Sequence, residues 1–79
     1  AYTIPNNVSV VYITSDDDGL NDAVTMPIGS NGQFLYVVYT VTAADKIVIN
    51  GYTSTSSSKT VLTFVYAGGG WSLVSANEL

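Results

Sequence analysis

The chain has 79 residues, 47% of them hydrophobic, with no cysteine, no histidine, and 6 acidic against 2 basic residues for a net charge of −4. Zinc centres, thiol chemistry, disulfide frameworks and Ser-His or Cys-His nucleophile pairs are excluded by the missing residue types. Lys46 and Lys59, with no arginine beside them, cannot form a phosphate-neutralising surface, so no nucleic-acid partner is expected.

Taken in chain order, the pattern predicts strands throughout, because Val, Ile, Thr and Tyr dominate. Val8–Thr14 reads as a first strand, stopped by Asp16-Asp17-Asp18-Gly19. Ala23–Met26 is a weak second strand, limited by Pro27. Ser30-Asn31-Gly32 is a turn, and Gln33–Thr42 is expected to be the longest strand. Ala43-Ala44-Asp45 bends into Lys46–Ile49. Asn50-Gly51 is the dipeptide of a two-residue hairpin turn, since both positions tolerate a positive φ. Tyr52–Ser58 is a short return strand running into a Ser/Thr loop, and Thr60–Tyr66 is a further strand. Gly68-Gly69-Gly70 turns the chain into a final strand, Trp71–Ser75. No apolar period of 3.6 residues is sustained, so no long helix is expected. The reading is one all-β domain over residues 1–79, a small antiparallel sandwich or barrel-like unit.

Low charge gives the composition a second meaning. About 10% of the residues are charged, against roughly 25% in an ordinary soluble domain. So small a chain has a limited core and, without disulfides or zinc, oligomerisation is the remaining supplement. The long strand sharpens this. Phe34, Tyr36 and Val38 point one way, while Leu35, Val37, Tyr39 and Val41 point the other, and both sets are apolar. The same holds for Val61–Tyr66, where only Thr63 is polar. One face is expected to pack the core of the chain and the other to meet partner chains. The alternative is a barrel with bulky residues on its outside.

Few residues invite chemistry. Asp16, Asp17, Asp18 and Asp22 form the one carboxylate cluster. An EF-hand register would place Asp16, Asp18 and Gly19 at the third, fifth and sixth positions. It puts Thr14 first and Thr25 twelfth, so the bidentate glutamate is missing. A solvated turn that blunts strand pairing is the commoner use of such a run, and no metal or other cofactor is expected. Asp16 with Asp45 or Glu78 is an unspecific acid-base pair. Gly68-Gly69-Gly70 precedes a strand and lacks the lysine of a phosphate loop. Of the aromatic side chains, Tyr12, Tyr36, Tyr39, Tyr66 and Trp71 lie in predicted strands and are expected to pack. Tyr52, beside the Asn50-Gly51 turn and the run Thr53–Ser58, is the surface candidate for binding a ligand such as a sugar.

No apolar stretch of 18 residues is present, which excludes a membrane-spanning helix, and no membrane partner is expected. Residues 1–5 lack the blocks of a signal peptide and the single methionine is Met26, so the expectation is a piece of a longer protein.

Three segments, in order, resemble a family. Ala23-Val24-Thr25-Met26-Pro27, continuing through Asn31-Gly32-Gln33 to Leu35-Tyr36-Val37, is similar to the "V-T-L-P … G-Q" segment of bacteriophage tail-fibre domains and of related collagen-like proteins. Ile47-Val48-Ile49-Asn50-Gly51 resembles their "I-x-I-N-G" strand, and Phe64–Ser75 resembles their closing "F-x-Y-x-G-G-x-W-x-L" hairpin. Met26 stands where leucine is usual. The resemblance implies a non-enzymatic β domain that assembles as a homotrimer, caps a fibrous or collagen-like shaft and sets its register. It places Phe64, Tyr66, Trp71 and Leu73 in the apolar interior of the trimer, with Tyr36 and Val38 added by extension. The implied location is a virion tail fibre or the extracellular space. The alternative within the resemblance is a tip that binds a receptor or a cell-surface glycan.

Overall fold

Eight β-strands, and among the described residues no helix, make up the computed structural model, which describes residues 2–15, 19–41, 45–55 and 59–79. They are β1 (Tyr2–Thr3), β2 (Val10–Thr14), β3 (Asp22–Thr25), β4 (Phe34–Thr40), β5 (Ile47–Ile49), β6 (Tyr52–Thr53), β7 (Lys59–Ala67) and β8 (Gly70–Glu78). The Asp16–Asp18 run, Thr42 at the end of the expected long strand, Ala43-Ala44 of the bend and Ser56–Ser58 lie outside the described residues.

The strands form two four-stranded sheets. A back sheet has the order β1-β3-β5-β6, and a front sheet has the order β2-β4-β7-β8. From β1 to β5 the chain alternates between them, so strands two apart in sequence become neighbours. β1 with β3, β2 with β4, and β3 with β5 therefore pair in parallel. A parallel pair needs a crossover connection, usually a helix. Here each crossover contains a strand of the opposite sheet. Among the described residues, only β4–β7 and the hairpins β5–β6 and β7–β8 are antiparallel. The expected antiparallel arrangement is thus corrected to a mixed one. The sheets are also open: each has two end strands, and no ladder joins them into a barrel.

Both hairpin turns follow from their residues. Asn50 and Gly51 have φ of 49° and 83°, and Gly68 and Gly69 have φ of 64° and 86°. Two successive positive φ values match the twist of the flanking strands, and the turns set the registers Ile49↔Tyr52 and Ala67↔Gly70. β8 continues past the predicted Ser75 to Glu78, through polar residues that carry little strand signal. β7 and β8, each of nine residues, are consequently longer than β4, which has seven. Val74 is an extra residue on β8, since Thr63 faces Ser75 and Phe64 faces Leu73.

The core lies between the sheets. Leu35, Val37 and Tyr39 of β4 and Leu62 and Phe64 of β7 meet Val24 of β3 and Ile47 and Ile49 of β5, with Ile4, Val11 and Val41 completing the cluster. Period-two alternation dictates this, because directly opposed residues on paired strands share a face. The side chains of Leu35 and Phe64 are opposite one another, as are those of Val37 and Leu62.

Candidate association face

Those same ladders turn the remaining residues of β2, β4 and β7 outward. Val10 lies beside Tyr36 and Tyr12 beside Val38. Phe34 lies beside Val65 and Val38 beside Val61. The outer face of the front sheet is therefore largely apolar across three strands, with Thr63 beside Tyr36 and Thr14, Thr40 and Lys59 at one end. Val10 is 52% exposed, Tyr12 78%, Phe34 50% and Tyr36 45%, while Val38, Val61 and Val65 between them are half-buried. The outer face of the back sheet is different. Thr3, Ala23, Thr25, Val48 and Thr53 lie on it, and none is a large aromatic. Scattered surface apolar residues are ordinary; several large ones adjoining on one sheet face mark an interaction surface.

The two long seams between the sheets also differ. At the seam of β6 and β8, the Tyr52 hydroxyl donates to the Glu78 carboxylate. The Thr55 amide and hydroxyl donate to the other Glu78 oxygen at 2.8 and 2.9 Å. Asn50 Nδ2 donates to the Trp71 carbonyl at 3.1 Å. Burial first, then the bond to Glu78 and its negative charge, push the Tyr52 hydroxyl up to about 12. This seam is latched. The seam of β1 and β2 instead holds a groove of about 250 Å³, lined by Tyr2, Tyr12, Ile13, Thr14, Asp22, Ala23 and Val24.

Buried polar groups tie the sheets together near that groove. The Tyr39 hydroxyl donates to Asp22 at 2.5 Å. Burial, then this bond and the negative charges of Asp22 and Asp45, hold it well above the ordinary tyrosine value against an opposing contribution from Ser15. Asp45, almost fully buried, accepts from Ser15 Oγ at 2.8 Å and from the Gly19 amide at 3.0 Å. Every buried side-chain polar atom among the described residues has a partner.

The residues singled out from the sequence fall into three places. Tyr36 and Val38 stand on the outer face of the front sheet. Phe64 is on the opposite side, fully buried within the single chain. Tyr66 and Trp71 close one end of the sandwich, with ring centroids 5.3 Å apart and planes at 80°. Trp71 donates its indole N–H to the Pro27 carbonyl at 3.0 Å, and Gly29 packs directly under the Tyr66 ring. Leu73, opposite Phe64 on β8, is 39% exposed. The structure thus brings Tyr36 and Val38 together but separates them from the other four. Tyr52 is half-buried and engaged with Glu78. Tyr12, expected to pack, protrudes from the face.

Of the carboxylates considered for acid-base work, Asp45 and Glu78 serve different contacts, each bonding polar groups of the fold. Among the described residues no three His, Cys, Asp or Glu side chains converge as a metal site would require. Sequence reasoning missed Asp22 and Asp45 as ties between the sheets. A tyrosine surrounded by valines in a core strand was the available signal, since its hydroxyl needs a buried acceptor.

No protein family, curated protein or solved structure matches this chain.

Proposed function

We propose that this chain is a non-enzymatic assembly domain that forms a homotrimer and so caps and registers a fibrous or collagen-like shaft, in a virion tail fibre or an extracellular protein. The observation that carries the reading is the apolar outer face of the front sheet, built by Val10, Tyr12, Phe34, Tyr36 and Val38. That face exposes large side chains that water solvates poorly, and burying them against copies of the same chain removes the cost. Self-association also fits the small share of charged residues, about 10% of the chain, which leaves much of the surface to apolar side chains. The order of the three sequence segments supports the trimeric state and the fibre context. Joining three shaft chains at one end raises their effective concentration for folding together.

The receptor-binding alternative draws less support, because the Tyr52 hydroxyl donates to Glu78 and the side chain is half-buried. Sedimentation equilibrium at micromolar concentration tests the assembly reading, with an expected mass of three times 8.3 kDa. A folded monomer at that concentration refutes it.

A further inference from the structure

We propose that the front sheet continues from one copy of the chain into the next, with β2 of one copy laid beside the stretch 72–77 of β8 in its neighbour. This rests on the trimeric reading and specifies its geometry. A cyclic trimer cannot use a self-complementary patch; each copy must present two different surfaces that fit one another. The two edges of the front sheet are such surfaces.

Among the described residues β2 is an end strand, paired only with β4. The Ser9 carbonyl accepts from the Tyr36 amide at 2.8 Å, and the Ser15 amide donates to the Thr40 carbonyl at 2.8 Å. In a regular parallel ladder this phase gives the odd-numbered residues to β4, so Val10, Tyr12 and Thr14 turn their N–H and C=O groups outward. Natural edge strands are guarded by lysine, proline, an inward charge or a bulge. β2, with the sequence VVYIT, has none of these.

The opposite edge is β8. Lys59 and Leu79 exchange both backbone bonds, so Asn77 and Ser75 continue the bonded pairs to β7 while Ala76 turns its amide outward. The ends of this strand are held by the back sheet through Asn50 at Trp71 and through Tyr52 and Thr55 at Glu78. The stretch between them is 72–77, six residues, and with Val74 bulged out of the ladder the remaining five match β2 in length. Its side chains Ser72, Leu73, Val74, Ser75, Ala76 and Asn77 are uncharged, so no like-charge repulsion opposes pairing.

Direction follows from the ladders. β2 is parallel to β4, β4 antiparallel to β7, and β7 antiparallel to β8. β2 and β8 therefore run the same way, and rotation about an axis along the strands preserves that sense. The intersubunit pair is parallel, and three such junctions close the three sheets into one. The groove of about 250 Å³ beside β2 lies on the core side of this junction. Ala76, on the core side of β8, comes level with Ile13 in the groove wall when Ser75 lies beside Tyr12.

Cysteine scanning tests the junction cleanly, since the chain has no native cysteine. Tyr12 and Ser75 both lie on the outer side of the front sheet. Tyr12→Cys combined with Ser75→Cys or Asn77→Cys should give disulfide-linked dimers and trimers on a non-reducing gel. Tyr12→Cys alone should not. In parallel, Thr14→Pro and Ala76→Pro remove outward amides without touching the existing ladders. Each should weaken trimer formation roughly tenfold, the worth of one to two backbone hydrogen bonds, with the far-ultraviolet spectrum unchanged. A native trimer with neither cross-links nor sensitivity to proline overturns the junction and leaves the assembly reading standing. Cross-linked dimers from Tyr12→Cys alone overturn it in favour of a two-fold β2–β2 contact. A wild-type monomer overturns both.

Discussion

Gly29→Ala is the sharpest test of how the end of the sandwich is built. A Cβ at residue 29 would stand 2.2 Å from Tyr66 Cδ2, 2.6 Å from Cγ and 2.8 Å from Cε2. Carbon atoms in ordinary contact sit about 3.5–4.0 Å apart, so the ring must retreat by more than about 1 Å. It cannot do so alone, because its edge-to-face partner Trp71 is fixed by the indole bond to Pro27. Overpacking of this kind costs about 1–3 kcal/mol. Loosening the aromatic pair forfeits up to roughly 1 kcal/mol more. The expected loss is about 2–3 kcal/mol, a drop of roughly 2 M in the urea midpoint for a domain this small at unchanged slope. All variants are compared at one protein concentration, since assembly adds to apparent stability. Tyr66→Ala removes the clash, so in that background Gly29→Ala should cost less than about 0.5 kcal/mol. Additive costs in the cycle, or a neutral Gly29→Ala, would refute the packing argument.

The other perturbations separate the two faces and the seam. Phe64→Ala should cost about 3–5 kcal/mol and unfold most of the chain, as seen by circular dichroism, because Phe64 is fully buried in the core of one copy. Tyr36→Ser with Val38→Ser should retain the spectrum while lowering the mass seen in sedimentation, because both residues lie on the outer face. Stability should fall as pH rises from about 10 to about 12, measured by urea titration. The Tyr52 hydroxyl is raised to about 12 in the fold, so its neutral form is favoured below the ordinary value of 10.0 and that advantage is lost on ionisation. Tyr39, shifted in the same direction, adds to the loss, and Tyr52→Phe should reduce it. Gly51→Ala should cost about 1–2 kcal/mol in thermal unfolding from its φ of 83° alone, since no atom lies within 4 Å of the added Cβ.

Much of this fold was legible because alternation and turn chemistry are local. The Asn50-Gly51 and Gly68-Gly69 turns, and the inward set Leu35, Val37 and Tyr39, follow from spacing alone. The topology does not. Nothing within Val10–Thr14 says that it will pair in parallel with β4 rather than form a hairpin with its neighbour in sequence. That choice depends on whether the intervening segment crosses to the other sheet, and the four residues of β3 gain by doing so because Val24 reaches the core between β1 and β5. The outer face was legible for the same reason as the inner one. Phe64, Tyr66 and Trp71 show the limit of motif order, since apolar identity does not state which side of the sheet a residue faces. Register does: Phe64 opposite Leu35 lies inside, and Tyr36 one step along lies outside.

The parallel pairings also account for the open edges. In an antiparallel meander, an end strand is joined to its neighbour by a tight turn and can be kept short. Here β1 and β2 each leave their sheet by a connection to the other sheet, so both sheets end on the same side with strands that no tight turn joins to their neighbours. The last four strands form two hairpins, which place β6 and β8 together at the opposite side, where Glu78 can bridge Tyr52 and Thr55. One order of crossing therefore yields a latched seam and an open one. A molecule with an apolar face, an unguarded edge beside it and a complementary edge on the same sheet has the asymmetry that a ring of identical copies requires. A single chain of 79 residues leaves those surfaces exposed, and three copies joined through them would cover one another's.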